Sequence, residues 1–238
     1  MGRAFEYRKA RKFKRWANMA KTFTKIGREI AIAVREGGPD PDYNPRLRLA
    51  IQNAKTANMP KANVENAIKR ASSRDAETYQ EIAYEGYAPH GVAVIVETTT
   101  DNTNRTVASM RLIFSKNGGN LSTSGSVDYM FSRKGTFKIA AEGVDVEELE
   151  LELIDYGLEE TALDEDQLLL YTGFEDFGAM QKALEEREIE VQEAGLIRIP
   201  THTKTLADQE AEEVIRLIEV LEDDEDVVNV FHNMDMSE

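Results

Sequence analysis

The feature that most constrains the fold is a change of apolar rhythm near residue 75. Before it, apolar residues recur at helical spacing. Phe13, Ala17 and Ala20 fall at i, i+4, i+7, and Ile26, Ile30, Ala33 and Val34 at i, i+4, i+7, i+8. Gly37-Gly38-Pro39 stops that helix, because Gly accepts a left-handed cap and Pro cannot continue the ladder. Asn44-Pro45 starts another, with an N-cap side chain followed by the one residue that needs no N–H at the first helical position. Its stripe is Leu47, Ala50, Ile51 and Ala54. Met59-Pro60 opens a third, with Val64, Ala67, Ile68 and Ala71. These stripes are narrow and alanine-rich, so the helices can approach closely while long basic side chains take the outer faces. Residues 72–79 are polar without periodicity and read as a boundary.

Beyond it, short apolar runs alternate with helical patterns. Residues 92–96 are apolar on both faces, as in a strand covered on two sides. The segment 100–103 offers capping oxygens to a helix over 103–117 with Val107, Met110 and Phe114 on its core face. Alternation at Val127, Tyr129 and Phe131 predicts a strand, with a turn at 133–135. Residues 136–140, 146–155, 158–163, 167–171, 174–187 and 189–193 then read strand, helix, strand, strand, helix, strand, the split βαβ unit. The remainder, with strands at 92–98, 127–131, 195–199 and 227–231 and helices at 103–117 and 207–222, repeats that order. A capping box is expected at Thr205 to Asp208. The expected architecture is α+β: a basic helical domain over 1–75, a discontinuous ferredoxin-like α/β domain over 79–133 plus 195–238, and a second ferredoxin-like domain, 134–194, inserted in it.

Charge follows the same division. Residues 1–74 hold 18 Lys+Arg against 6 Asp+Glu, a net of +12, while residues 75–238 hold 11 against 38, a net of −27. Such asymmetry points to a module for polyanions carried on an acidic body, the alternative being a basic face that pairs internally with the acidic part. Six cations, Arg8, Lys9, Arg11, Lys12, Lys14 and Arg15, sit within eight residues, and Lys21, Lys25 and Arg28 follow. Arg46, Arg48, Lys55, Lys61, Lys69 and Arg70 extend the candidate set along the next two helices. Trp16 interleaves with the charges and either stacks on a base or docks the arm. Contacts of this kind hold phosphate without reading sequence.

Chemistry of other kinds finds no support. With no cysteine, thiol catalysis, disulfides and Cys-based metal sites are excluded. His90, His202 and His232 are isolated, without a ligand partner at helical spacing, and read as turn or edge residues. No phosphate-loop, dinucleotide or hydrolase-elbow motif occurs. The acidic runs 164–166 and 222–226 lack the spaced ligands and glycine of a calcium loop and read as solvated turns. We therefore expect no catalytic residue, metal or cofactor. No apolar run exceeds five residues, so no membrane span or secretory segment is expected and the expected address is the cytoplasm. Oligomeric state is not encoded in any visible pattern; a monomer is favoured.

Several long motifs resemble the YebC/PmpR family. They are Asn44-Pro45-Arg46-Leu47-Arg48-Leu49-Ala50-Ile51, Ala57-Asn58-Met59-Pro60-Lys61 and Ala67-Ile68-Lys69-Arg70, then Tyr84-Glu85-Gly86-Tyr87 and Thr100-Asp101-Asn102-Thr103-Asn104-Arg105-Thr106. Residues 114–120, Gly125-Ser126-Val127 and 221–233 complete the match in family order. The resemblance implies a helical N-terminal domain before two α/β domains, and a cytoplasmic, non-enzymatic protein of a kind described as DNA-binding transcriptional regulators. Relatives such as the mitochondrial translational activator of cytochrome c oxidase imply instead a ribosome- or ribosomal-RNA-associated translation factor. A Mg²⁺-dependent enzyme or a protein adaptor are the readings from other classes. The chain departs from the Gly-His-Ser-Lys-Trp start of many members: here Gly2-Arg3-Ala4-Phe5 leads, by a longer route, to Lys14-Arg15-Trp16.

Overall fold

A computed structural model describes residues 19–73 and 77–235. The arm with Arg8, Lys9, Arg11, Lys12, Lys14, Arg15 and Trp16 lies outside the described residues. Three helices come first: α1 (Met19–Gly37), α2 (Pro45–Thr56) and α3 (Lys61–Ala71). Asn44 does more than cap α2. Its Oδ1 accepts from the Leu47 N–H at 3.0 Å, while its Nδ2 donates to the carbonyls of Ala33 at 2.7 Å and Gly38 at 2.8 Å. One buried side chain thus ends α1 and starts α2. A Cβ on Gly37 would stand 2.7 Å from it, which is why glycine occupies that position. The expected stripe of Phe13, Ala17 and Ala20 lies outside the residues whose side chains are described; the others pack together, with Ile26, Ile30, Ala33, Val34, Leu47, Ala50, Ala54 and Val64 as their buried core.

The rest is α+β: two small antiparallel four-stranded sheets with helices. The first sheet contains β1 (Gln80–Tyr87), β2 (Ala93–Thr100), β3 (Asn120–Leu121) and β8 (Val227–His232), in the order β3-β1-β2-β8. Helices α4 (Thr103–Lys116) and α7 (Asp208–Asp223) cover one face, where Met110, Phe114, Val214, Leu217, Ile218 and Leu221 meet Val94 and Val96. Ala93 and Ile95 pack on the other face against Val127 and Phe131, so β2 is apolar on both sides, as its run of residues requires. The second sheet contains β4 (Phe131–Ala140), β5 (Leu158–Asp164), β6 (Gln167–Gly173) and β7 (Val191–Pro200), in the order β5-β6-β4-β7, with α5 (Val146–Leu153) and α6 (Phe177–Glu186) between its strands. That is the βαββαβ order of a ferredoxin-like unit. It is inserted in sequence between β3 and α7 of the first.

Several expected elements need correction. Residues 127–131 do not form a strand: 128–130 make one 3₁₀ turn, and β4 starts at Phe131 and runs straight through 133–135, across the expected boundary at 133/134. Gly135 is not a turn residue. It faces Thr172 and Phe177, whose atoms would stand 2.5 and 2.7 Å from an added Cβ. The expected strands at 189–193 and 195–199 are one strand, β7, which pairs along the length of β4 and so carries through the boundary at 194/195. The first sheet therefore draws its hairpin from β1, a strand missed in the sequence because its inward position 85 is a glutamate. At α7 the cap is displaced from the expected Thr205 to Asp208: Ala207 is the N-cap, with Glu210 accepting from its N–H at 3.1 Å, while Thr205 bonds Asp235.

Candidate nucleic-acid interface and the joint behind it

Two helix ends and a tight turn carry four exposed cations, Lys55, Lys61, Lys69 and Arg70. Asn58 takes a left-handed φ of 57°, and the Met59 N–H returns to the Ala54 carbonyl at 2.8 Å, folding α3 back after α2. Val64, Ala67, Ile68 and Ala71 turn inward, which forces Lys61, Lys69 and Arg70 outward. Lys61, Glu65 and Lys69 share one face at i, i+4, i+8. Lys55 is exposed at the end of α2. Among the described residues the acidic partner of these four cations is Glu65, 3.8 Å from Lys61 in a largely solvated pair worth little.

The remaining candidates are engaged within the molecule. Arg46 bridges Glu36 at 2.7 Å and Glu81. Arg48 reaches Glu185 at 3.3 Å and the carbonyls of Pro41 and Asp42 at 2.8 and 3.0 Å. Nearby, Gln52 and Thr56 donate to the carbonyls of Val191 and Gln192 on β7, and Leu49 packs into the core of the second sheet. Lys21 and Lys25 donate to the Asp223 and Glu222 carbonyls at 3.0 and 3.3 Å. The sequence alternative of internal pairing thus describes part of the cationic set, and phosphate-facing charge the rest.

Arg28 is the deepest of these contacts, its side chain only 13% exposed. Its Nη1 lies within 3.0 Å of three oxygens: the Thr99 carbonyl, the Glu225 carbonyl at 2.8 Å and Asp226 Oδ1 at 2.9 Å. Asp226 also accepts from Arg105 Nη2 at 3.0 Å and from the Thr106 hydroxyl at 2.7 Å, with the Thr100 hydroxyl at 3.2 Å. Asn102 caps α4 by accepting from the Arg105 N–H at 3.1 Å, and Arg105 returns to Asp101 at 2.8 Å. Burial pushes the Asp226 carboxyl pKa up, but the Thr106 and Arg105 hydrogen bonds and the two guanidinium charges outweigh it, and the net shift is downward. The expected solvated turn at 222–226 is therefore corrected at its last residue: Asp226 is a buried hub. An open cleft of about 510 Å³ lies in front of it, lined by Tyr79, Arg105, Ser109 and Asp224 among others.

A second buried carboxylate explains another motif. Glu85 on β1 accepts from the backbone N–H groups of Gly125, Val127 and Asp128 at 2.6, 2.7 and 3.0 Å. Burial alone would raise its pKa; the three donors, helped by Arg198, bring it below the usual carboxylate value. Arg198 itself, on β7, binds Glu97 at 2.9 Å and Asp128, tying the two sheets together. Neither hub is visible as such in the sequence. The only hint is that polar motif residues sit where strand or turn patterning asks for apolar or exposed ones.

No group of three or more His, Asp or Glu side chains among the described residues is placed to hold a metal ion. His90 sits in a turn with a left-handed φ of 60° and Nε2 2.8 Å from Glu213, His202 is exposed in a turn, and His232 ends β8. No described helix is long and apolar enough to cross a membrane.

Residues 3–74 match the family described as "TACO1/YebC protein N-terminal domain", and residues 79–234 match "TACO1/YebC second and third domain". The chain belongs to the TACO1/YebC family. A curated relative from Flavobacterium johnsoniae is 57% identical over 98% of this chain and 99% of its own, and one from Parabacteroides distasonis is 56% identical over 98% and 97%. Both are named "Probable transcriptional regulatory protein". A crystal structure of a conserved hypothetical protein from Aquifex aeolicus matches with a TM-score of 0.81 at 42% identity, covering 92% of this chain and 91% of that one. The family motifs now have places. Asn44 to Ile51 joins the helices to both sheets, Glu85 holds the Gly125–Asp128 loop, and residues 100–106 and 226 build the Arg28 joint. Among the motif cations of the three helices, Lys61, Lys69 and Arg70 are exposed.

Proposed function

We propose that this TACO1/YebC protein is a non-enzymatic, nucleic-acid-binding regulator of gene expression, with duplex DNA as its target, in keeping with its relatives' name. The supporting observation is the α2–α3 corner. Lys55, Lys61, Lys69 and Arg70 stand exposed on a rigid alanine-packed frame, while Lys21, Lys25, Arg28, Arg46 and Arg48 are held by internal carboxylates and carbonyls. The arm cations Arg8 to Arg15 extend the same charge in sequence. Four phosphate contacts give a slope of about 3.6 in log affinity against log salt on duplex DNA, about 150-fold between 50 and 200 mM.

The test is binding of the full chain to duplex DNA, ribosomal RNA and ribosomes across a salt series. It is repeated with Lys55, Lys61, Lys69 and Arg70 changed together to Glu. The expected result is a shallower slope, by about 3.6, and lost affinity. Unchanged binding by that variant removes the α2–α3 face from the site. Ribosome co-sedimentation with only weak, sequence-indifferent DNA retention replaces the DNA target with a translation role.

A further inference from the structure

Carboxylates crowd the α/β part of the chain, with one gap. From residue 75 onward 38 of 164 residues are Asp or Glu, so 26 consecutive residues would carry about six. Residues 102–127 carry none, with Asp101 and Asp128 at either end, and the next longest acid-free run there is 14 residues. The gap holds Arg105, Arg111 and Lys116 among 12 Ser, Thr and Asn residues. That composition suits phosphate, which cations and neutral hydrogen-bond donors hold and carboxylates repel.

The gap folds as α4, the edge strand β3 and the loop that Glu85 holds. Its first part is engaged: Arg105 bonds Asp101 at 2.8 Å and Asp226 at 3.0 Å, and the Ser109 hydroxyl donates to Asp224 at 2.6 Å. The second half of α4 differs. Thr106, Met110 and Phe114 form its buried side, so Arg111, Leu112, Ser115 and Lys116 turn outward; all four are exposed, Leu112 by 53%. Asn120 on β3 is exposed too. Elsewhere in the α/β part Lys134, Lys182, Arg187 and Arg198 are paired with Glu159, Glu186, Glu152 and Glu97. Among the described residues Arg111 and Lys116 have no such partner. Helix physics accounts for one of these two cations. Lys116 complements the negative end of the macrodipole, but Arg111 is mid-helix, and the first turn, where the dipole favours carboxylates, has none.

We propose that the outer side of α4 from Arg111 to Lys116, with Asn120, is a second face for the phosphates of a nucleic acid. It deepens the reading above and rests on duplex DNA being the target. Charge complementarity chooses this occupant: a polyanion is repelled by most of a part with net charge −27 and is met along this stretch by cations without carboxylates. The Arg111 guanidinium and the Lys116 ammonium each neutralise a phosphate, Ser115 and Asn120 donate to phosphate oxygens, and Leu112 covers a sugar between them. Asp101, Asp224 and Asp226 close the strip at the N-terminal end of α4, so the backbone crosses the helix rather than following it. Two contacts add about 1.8 to the salt slope, about 12-fold in affinity between 50 and 200 mM.

Arg111→Gln with Lys116→Gln keeps helix propensity at exposed positions. Lys182→Gln with Arg216→Gln removes the same charge from α6 and α7 and serves as the control. Duplex binding by the full chain is measured across a salt series. The expected result is a slope about 1.8 shallower for the α4 pair and wild-type binding for the control. Acetylation by acetic anhydride, read by mass spectrometry, should spare Lys116 in the complex and not Lys182. An unchanged slope, an equal loss in the control, or Lys116 equally reactive in free and bound protein overturns the face. Binding of polyglutamate but not duplex through the same pair replaces the nucleic acid with acidic protein. The charge-reversed Lys55, Lys61, Lys69 and Arg70 variant separates the two readings. If it binds duplex as wild type does while the α4 pair loses affinity, the corner falls and the α4 face stands; the reverse removes the α4 face alone. A protein that retains no duplex loses both.

Discussion

Replacing Arg28 by Met and Asp226 by Asn, singly and together, tests whether Arg28 is an internal anchor or a surface grip on phosphate. Both side chains are largely enclosed, 13% and 7% exposed. Asp226→Asn removes the charge opposite Arg28 and leaves the guanidinium the Thr99 and Glu225 carbonyls and, in place of the carboxylate, one neutral amide oxygen. Breaking a buried pair from one side costs about 3–5 kcal/mol, and the surviving carbonyls place this variant near 3. Arg28→Met strands the same carbonyls but keeps the packing of the stem, so about 3 kcal/mol is expected again. If the two residues act as one joint, the double variant costs clearly less than the sum, with a coupling of about 1.5–3 kcal/mol. The Thr99 N–H bonds the Asp226 carbonyl at 2.8 Å, so amide exchange at Thr99 reports opening of this joint directly. Acid adds a check of sign. The Asp226 pKa is lower in the folded protein than its ordinary 3.8, so its stabilisation is complete above that value and fades as pH falls through the folded value. The gap between wild type and Asp226→Asn should close in the same window. Coupling below about 0.5 kcal/mol, or Arg28→Met that leaves exchange untouched while flattening the salt slope of nucleic-acid binding, would refute the joint.

Two further outcomes follow from single carboxylates. Glu85→Gln keeps one acceptor but turns an amide donor toward one or two of the three backbone donors, and should cost about 2–4 kcal/mol in urea unfolding followed by circular dichroism; a loss under about 0.5 would mean the loop is held otherwise. Glu29 behaves oppositely. Burial pushes its pKa up, with Arg46 pulling down and Glu81 pushing up again. Protonation therefore favours the folded state, and stability from this group is present at low pH and lost as pH rises through the raised folded value. Glu29→Gln should unfold at a higher temperature than wild type at pH 7 and lose that advantage near pH 4, measured by calorimetry.

The helical part is largely legible in the order of residues. Asn44-Pro45, Met59-Pro60 and the alanine-rich stripes depend on local chemistry: capping, a fixed φ and a 3.6-residue period all act within a few positions. The βαββαβ order of the second sheet is legible for the same reason, as hydrophobic rhythm is a near-neighbour property. Strand limits are not. Gly135 and the residues around it look like a turn until β6 and α6 are beside them, and only then does the glycine show itself as the place where Thr172 and Phe177 come close.

By itself, then, the amino-acid order determined which described segments are helices, the βαββαβ order of the second sheet, and that positive charge gathers toward one end and negative charge toward the other. Only the tertiary structure decided which of those charges meet. Arg28 and Arg70 are indistinguishable as letters on basic helices, yet one is enclosed by oxygens 71 to 198 residues away and the other faces water. The reason is physical: a side chain's partners across the fold depend on how whole elements pack, and desolvation turns on that packing rather than on the neighbours along the chain.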